Sequence, residues 1–469
     1  MTHIVTSIRR RWRAPGGYRQ VLTMAVPLIL STGSSSLQSF INRMFLTWHS
    51  PESLAAVMPA SMVNYSVMTI FITTAGYVST FVAQYHGAGR DEKVGGVTWQ
   101  ALPVALIAAV VGLALIPIAP LFFAWVGHDP AVRAEEVVFF RILCLGAFPA
   151  VMASAFSSML SGLGRTKPVM FVALGSAGVN ILFDWLLIFG NLGFPALGIA
   201  GAGWASVLAF CVQLACFACI LFNRRLRDRY RTLDWRPRGK PFRALLRFGL
   251  PSGVQFFIDG AGFTAFILLV GRLGRNELAA TNLAFNVNTI AFMPMIGIGI
   301  TVSVLVGQAL GRDDPARARA SVRSAFDMTI LYMGAVAVLF FLTPGFFLRP
   351  FAASSDPESF EIIARLTAVL LRFVAVYTLF DALNIVFSSA IKGAGDTRFV
   401  MWMIIVLSTG VLVIPSYVAI ILLHASVYVC WVIASAYVIA LGIAFFFRYR
   451  QGKWALMRVI ETAAPSVPE

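Results

Sequence analysis

Long apolar runs dominate the sequence. About twelve stretches of 20 or more mainly apolar residues follow one another, separated by short turns that are polar or contain glycine or proline. A helix of about 20 residues, rising about 1.5 Å per residue, crosses the roughly 30 Å hydrocarbon core of a bilayer. The 469 residues are 58% hydrophobic and 12% charged, which is too apolar for a soluble core of this size. The pattern predicts an all-α polytopic membrane protein with twelve transmembrane helices.

The boundaries of the predicted spans follow the polar turns. The spans are 21–48, 54–85, 94–115, 132–160, 169–189, 199–222, 246–271, 278–306, 322–342, 360–391, 400–422 and 426–447.

The positive charge is distributed unevenly between the two sides of these spans. The formal net charge is +16, and most of the 37 Lys and Arg residues lie in alternate connecting segments, above all in 224–247. This distribution follows the positive-inside rule and predicts that both termini are cytoplasmic. It disfavours nucleic acid as a partner. Short loops without a glycosylation acceptor fit a multi-pass protein of a bacterial inner membrane, in contact with membrane lipids.

The two halves of the chain repeat each other. Pro27 corresponds to Pro251 and Gln84 to Gln308, and further on the motif SGLGRT corresponds to KGAGDT. Such self-similarity predicts two pseudo-symmetric six-helix lobes related by an axis along the membrane normal. The predicted divisions are a cytoplasmic tail 1–20, an N-lobe 21–222, a basic linker 223–243, a C-lobe 244–447 and a cytoplasmic tail 448–469.

One polar stripe lies within the tenth span. Tyr377, Asp381, Asn384 and Ser388 are spaced so that they share one helix face. An ionised Asp near the centre of a membrane helix costs about 2.5–3.5 kcal/mol, and such residues usually face a bundle interior or a wet cavity. The stripe predicts the lining of a polar cavity, with a polar contact between packed helices as the alternative.

A second acid of the same half follows an early proline. Asp259 lies eight residues after Pro251, and Gln255 precedes Asp259 by one helical turn. Proline frees backbone carbonyl oxygens by disturbing the helix. Asp259 and Asp381 are therefore candidates for one shared site for a proton or Na⁺ in the C-lobe.

The first half carries its own polar residues. Asn180 and Asp184 are one turn apart, Gln38 and Asn42 have the same spacing, and Ser206 lies on the next predicted helix after Asp184. They predict either a second polar pocket or interhelical hydrogen bonds, which contribute about 0.6 kcal/mol each.

Polar and aromatic side chains also cluster around the eighth span. Asn282 and Asn286 share a stripe, and Phe256, Phe285 and Met293 belong to the same region. Aromatic rings with flexible methionines suit a cavity for flat apolar cations. Packing against lipid is the alternative explanation.

Neither a metal site nor an enzyme is indicated by the cysteines and histidines. The five cysteines all lie in apolar runs, and the five histidines are scattered without the spacing of metal ligands. An intramembrane enzyme would need a His paired with an acid or a nucleophile near the membrane surface, and the sequence pattern shows no such pair. We expect no cofactor other than a coupling ion.

The chain resembles the MATE family of multidrug and toxic compound extrusion transporters, in its NorM-like branch, over about residues 25–447. The resemblance rests on the two early prolines, the turns GAGRDE, GRDDP, SGLGRTKP and KGAGDTR, the segment PALGIAGAGWAS, and the positions of the intramembrane acids. It implies that Na⁺ or H⁺ moving inward drives export of organic cations by alternating access, in a monomer. It also implies that Asp259, Tyr377 and Asp381 belong to the C-lobe cation site, and Asn180, Asp184 and Ser206 to the N-lobe pocket.

The sequence departs from the family pattern at Asn42, where an aspartate is common. An amide takes up no proton at physiological pH, so an N-lobe proton site would depend on Asp184 alone. A lipid-linked oligosaccharide flippase of the same superfamily is the alternative function. It would be expected to have a basic cavity, whereas the intramembrane acids here favour cations.

Overall fold

The structure is a computed structural model that describes residues 11–236, 238–352 and 357–461. Residues 1–10 and 462–469 of the two predicted tails lie outside these ranges. The α-helices are α1 Tyr18–His49, α2 Pro51–Gly76, α3 Val78–Gly87, α4 Val94–Thr98, α5 Ala101–Val126, α6 Pro130–Leu145, α7 Ala147–Gly162, α8 Thr166–Phe189, α9 Ile199–Leu221, α10 Arg224–Tyr230, α11 Gly239–Val270, α12 Arg275–Gly311, α13 Pro315–Leu342, α14 Pro344–Ala352, α15 Pro357–Ala394, α16 Thr397–Leu407, α17 Ile414–Tyr417 and α18 Val427–Arg450.

The described residues confirm the predicted all-α membrane fold. They contain eleven helical segments long and apolar enough to cross a bilayer. Helices α6 and α7 are bent by 48° at Gly146, and they make a twelfth span when counted together. Two π-helical segments, Ser408–Val413 and Val418–Leu422, lie in the eleventh of the twelve predicted spans.

Four turns between helices share one backbone design. In each, an N–H bonds to the carbonyl five residues earlier: Arg90 to Tyr85, Arg165 to Leu160, Asp314 to Ala309 and Asp396 to Ile391, at 2.9–3.1 Å. The residue before each donor has positive φ, namely Gly89, Gly164, Asp313 and Gly395. This is the Schellman ending of a helix, in which glycine adopts the left-handed conformation without a steric cost. The turns recur at the positions where the sequence halves correspond.

Helix α13 begins earlier than its apolar run. The sequence pattern predicted a start at residue 322, but the helix starts at Pro315. Asp314 caps it, since its Oδ1 accepts a hydrogen bond of 2.9 Å from the Arg317 backbone N–H. Proline suits the first helical position because its missing N–H would have no partner there. The polar first turns therefore extend the helix beyond the apolar segment.

The described chain separates into two compact units. The N unit holds the described residues of 26–257, 311–313 and 458–461, and the C unit those of 11–25, 258–310 and 314–457. The division between the units on α11 therefore falls between Phe257 and Ile258. The predicted lobe bounds themselves stay a prediction.

The N unit has a core of interlocked aromatic and small residues. Phe45, Phe123 and Phe140 are among the buried rings, with Ile188 of α8 and Ala202 of α9 packed in the same cluster. At Gly201, a Cβ would lie 2.5 Å from the Leu187 carbonyl oxygen. Helices α8 and α9 therefore approach closely beside the acid Asp184.

In the C unit, helices α15 and α18 meet backbone to backbone at Gly442. A Cβ at this position would lie 2.7 Å from the Phe380 carbonyl oxygen and 3.3 Å from the Leu383 Cβ. Phe380 directly precedes Asp381 in the chain, so this close approach sets the position of α18 beside the acid.

We expect Gly442→Ala to destabilise the C unit by about 1–3 kcal/mol, because the added methyl group must push α18 away from α15. Gly334→Ala on α13 is the matched control, since nothing lies within 4 Å of a Cβ there. Thermal unfolding of the detergent-solubilised protein measures both. Equal unfolding temperatures for the two variants would contradict the close approach described here.

Candidate functional site

Asp381 lies inside the C unit on α15. It is 6% exposed, and Tyr377, one turn earlier, is 4% exposed. Asn384, the next polar residue of the predicted stripe, follows Asp381 by three residues on the same helix and is partly buried. Ser388 is buried and bonds within its own helix, to the Ile385 carbonyl oxygen at 3.4 Å. The stripe therefore faces the interior of the unit.

Asp259 is bound by a residue that the sequence analysis did not select. Tyr437 of α18 donates its hydroxyl hydrogen to Asp259 Oδ1 at 2.7 Å. Ser408, at the start of the π-helical segment Ser408–Val413, is buried near the same tyrosine. Such π-helical turns recur at functional sites because they redirect side chains and backbone carbonyls. Asp259, Tyr437 and Ser408 thus join three segments of the C unit.

The two acids and one lysine of the C unit act on one another electrostatically. The Asp259 carboxylate repels the Asp381 carboxylate and attracts the Lys392 ammonium group. The structure therefore brings together the two carboxylates that the sequence predicted for one site. Lys392, the first residue of the motif KGAGDT, supplies a positive charge near Asp259. We refer to Asp259, Asp381, Asn384, Lys392 and Tyr437 as the carboxylate cluster.

Gln255 precedes Asp259 by one turn of α11. It is 7% exposed, and its Oε1 atom has no hydrogen-bond partner in the described part of the protein. A buried amide oxygen without a donor is a candidate to bind a cation or a polar group of a ligand.

The N unit holds a second acid in a different environment. Asp184 and Asn180 of α8 are both fully buried. Neither carboxylate oxygen of Asp184 and neither polar atom of the Asn180 amide has a hydrogen-bond partner among the described residues. A buried carboxylate without a donor is costly as an anion, so this position favours a bound proton or cation.

The other residues predicted for the N-lobe pocket differ in their roles. Asn42 is 8% exposed and its Oδ1 atom is unpartnered among the described residues, whereas Gln38 is partly buried. Ser206 donates its hydroxyl hydrogen to the Ala202 carbonyl oxygen at 3.0 Å, within its own helix. Asn42 thus has a polar atom available for a ligand, while the Ser206 hydroxyl hydrogen is already used.

The residues predicted for a substrate cavity fall into two groups. Phe285 packs inside the C unit, where its ring stacks on Trp431 at 5.1 Å between centroids. Asn282 and Asn286 of α12 are exposed. Phe256 of α11 is 44% exposed, and Met293 of α12 is partly buried. The ring of Phe285 therefore has a packing role, whereas Asn282, Asn286 and Phe256 have exposed surface.

Tyr437 is the main site residue that the sequence analysis missed. It lies in the middle of the last apolar run, VYVCWVIASAYVIALG, where a hydroxyl group needs a hydrogen-bond partner. That isolated polar group was the available signal. Its partner Asp259 is 178 positions away, and no local spacing connects the two residues.

Within the described ranges, no group of three or more His, Cys, Asp or Glu residues could hold a metal ion. The carboxylate cluster consists instead of two acids, one amide, one lysine and one tyrosine.

Curated relatives of the chain include bacterial multidrug resistance proteins. The multidrug resistance protein NorM of Burkholderia vietnamiensis is 28% identical over 384 residues, covering 81% of this chain and 82% of the relative. The multidrug resistance protein PmpM of Pseudomonas aeruginosa is 28% identical over 404 residues, covering 84% of this chain and 82% of that protein.

Solved structures share the fold. An outward-facing multidrug resistance MATE family transporter of the MOP superfamily matches with a TM-score of 0.85 at 20% identity, over 97% of this chain and 98% of its own. A MOP superfamily transporter from Pyrococcus furiosus matches with a TM-score of 0.85 at 20% identity, over 94% of this chain and 97% of its own. The MatE family profile matches residues 27–186 and 251–418, which is more than half of the sequence. The chain therefore belongs to the MatE family of multi-pass membrane transporters and is not an enzyme.

Proposed function

We propose that this protein is a secondary active multidrug efflux antiporter that exports organic cations in exchange for Na⁺ or H⁺ by alternating access. The relatives named for multidrug resistance over most of their length support the substrate class. The contact that carries the coupling proposal is the 2.7 Å hydrogen bond from Tyr437 to Asp259, beside the second acid Asp381.

The carboxylate cluster provides a physical basis for coupling. Two carboxylates that repel each other bind a cation or proton favourably, because the added positive charge relieves the repulsion. Without the ion, the Tyr437 hydroxyl and the Lys392 ammonium stabilise the negative charge of Asp259. Ion binding therefore competes with these internal partners. A change in their positions between two states of the transporter would change the ion affinity, as coupled transport requires.

The N unit offers a second binding region. Among the described residues, the buried side chains of Asp184 and Asn180 have no hydrogen-bond partner, and Asn42 contributes an unpartnered oxygen. We propose that this N-lobe pocket binds a coupling ion or a cationic part of the substrate. For the drug itself, the exposed Asn282, Asn286 and Phe256 are the candidate contacts.

The remaining assignments follow from the charge distribution and the family. We propose that the protein lies in the cell inner membrane with both termini cytoplasmic, works as a monomer, contacts membrane lipids, and needs no cofactor beyond the coupling ion. Possible Na⁺ binding is assigned to Asp259 and Asp381.

We expect Asp381→Asn to abolish coupled export while leaving the protein folded, because an amide keeps the shape of the side chain but has no charge to exchange. Ethidium efflux from proteoliposomes, with a sodium gradient and a pH gradient imposed separately, measures coupling and identifies the ion. Thermal unfolding of the same variant is the folding control. Wild-type efflux in Asp381→Asn would remove this residue from the mechanism.

We expect Tyr437→Phe to lower the half-saturating concentration of the coupling ion by tenfold or more. A hydrogen bond to a charged group contributes about 1.5–3 kcal/mol, and its loss destabilises the ion-free form of Asp259. Tyr332→Phe is the matched control, since Tyr332 donates to the Ala291 backbone carbonyl oxygen at 3.0 Å and not to a carboxylate. Efflux rates over a series of ion concentrations give the constant. Identical values in the two variants would show that Tyr437 is not part of ion binding.

A further inference from the structure

The described residues of the loop between α10 and α11 are hydrogen-bonded to the N unit, although the loop is polar and rich in arginine. Thr232 is 1% exposed, and its hydroxyl donates to the Leu221 carbonyl oxygen, at the end of α9, at 2.8 Å. The Thr232 carbonyl oxygen accepts a hydrogen bond of 2.6 Å from the Trp99 indole N–H. These contacts attach the first part of the loop to the ends of two membrane helices of the N unit.

A buried glutamine holds the second part of the same loop. Gln100 is fully buried at the start of α5. Its Nε2 donates to the Arg236 carbonyl oxygen at 3.3 Å, and its Oε1 accepts from the Arg238 backbone N–H at 3.0 Å. A loop bonded in this way on both sides of Trp235 cannot readily turn its outward side chains inward.

Two large apolar side chains point outward from this loop. Leu233 is 55% exposed and Trp235 is 63% exposed. The loop begins ten residues after α9 ends and leads directly into α11, so it lies where the membrane helices meet water. Tryptophan is enriched at this level of a bilayer, where one side of the ring contacts lipid and the other contacts water.

The charges around the two apolar side chains are positive. Arg231, Arg236 and Lys240 are exposed. The acid within the loop, Asp234, is paired with Arg238 at 2.6 Å between Oδ2 and the guanidinium nitrogen, so its charge is offset. Apolar side chains flanked by exposed cations match the chemistry of an anionic phospholipid, which presents a phosphate above its acyl chains.

We propose that residues 231–236 and 238–240 carry a binding site for an anionic phospholipid of the cytoplasmic leaflet. Arg231, Arg236 and Lys240 bind the phosphate group, and Leu233 and Trp235 insert at the boundary between headgroups and acyl chains. The assignment to the cytoplasmic leaflet rests on the proposed orientation with both termini cytoplasmic. The binding site itself requires only the contacts within the N unit.

Native mass spectrometry of the full-length protein in detergent tests the proposal. The protein is titrated with phosphatidylglycerol, and separately with phosphatidylcholine of the same acyl chains, and bound lipid is counted. We expect Arg236→Gln/Lys240→Gln to weaken retention of phosphatidylglycerol on the order of fivefold for each residue changed. Arg272→Gln/Arg275→Gln is the matched control, because it removes two exposed positive charges from the turn between α11 and α12.

A second pair of variants tests the apolar contacts. Leu233→Ser/Trp235→Ser should weaken retention of phosphatidylglycerol without changing any charge. Equal retention in the Arg236/Lys240 and Arg272/Arg275 variants would overturn the proposal. Glycerol phosphate is also added at the same concentration as phosphatidylglycerol. If it displaces the lipid, the site binds soluble phosphate and the proposal is overturned. Because these measurements do not depend on ethidium efflux, they remain interpretable whether or not the antiport proposal holds.

Discussion

Hydrocarbon offers no hydrogen bonds, and this constraint determines most of what is seen in this protein. Each backbone N–H and C=O within the bilayer must find a partner in the protein, which long helices provide along their length. At helix ends the same need is met by specific turns. The four Schellman endings, including that at Asp313 with its left-handed backbone, close helices in this way. The two halves of the sequence therefore also end their corresponding helices in the same way.

The same constraint makes each intramembrane acid informative. In the C unit, Asp259 receives a hydrogen bond from Tyr437 and lies near Lys392, while in the N unit Asp184 has no partner in the described part of the chain. Asp259 is thus stabilised by donors within the protein, whereas Asp184 is a candidate to bind a ligand or a proton. The two halves thus share a helical framework but treat a buried charge in different ways. This difference is consistent with separate roles for the halves in ion and substrate binding.

At the membrane surface, water supplies hydrogen bonds, so polar groups no longer need a partner within the protein. Leu233 and Trp235 are then the groups that lack a suitable environment, while the neighbouring arginines are well hydrated. The hydrogen bonds of Gln100 and Thr232 keep this arrangement in place. A lipid headgroup region satisfies both kinds of side chain at once, which water or hydrocarbon alone cannot do.

The sequence by itself determined the membrane class and the family resemblance, and it predicted about twelve spans and a site at the two acids of the C unit, because hydropathy and helical spacing are local properties. It could not identify the Tyr437–Asp259 bond, since its partners are 178 positions apart and meet only when α11 and α18 pack. Helix bounds were also imprecise where polar residues extend a helix, as at Pro315. The tertiary structure alone decided that Ser206 bonds within its own helix, while Asp184 and Asn180 have no partner in the part of the chain that the structure describes. Whether a buried polar group finds a partner depends on which neighbours packing brings within about 3 Å, and local sequence does not contain that information.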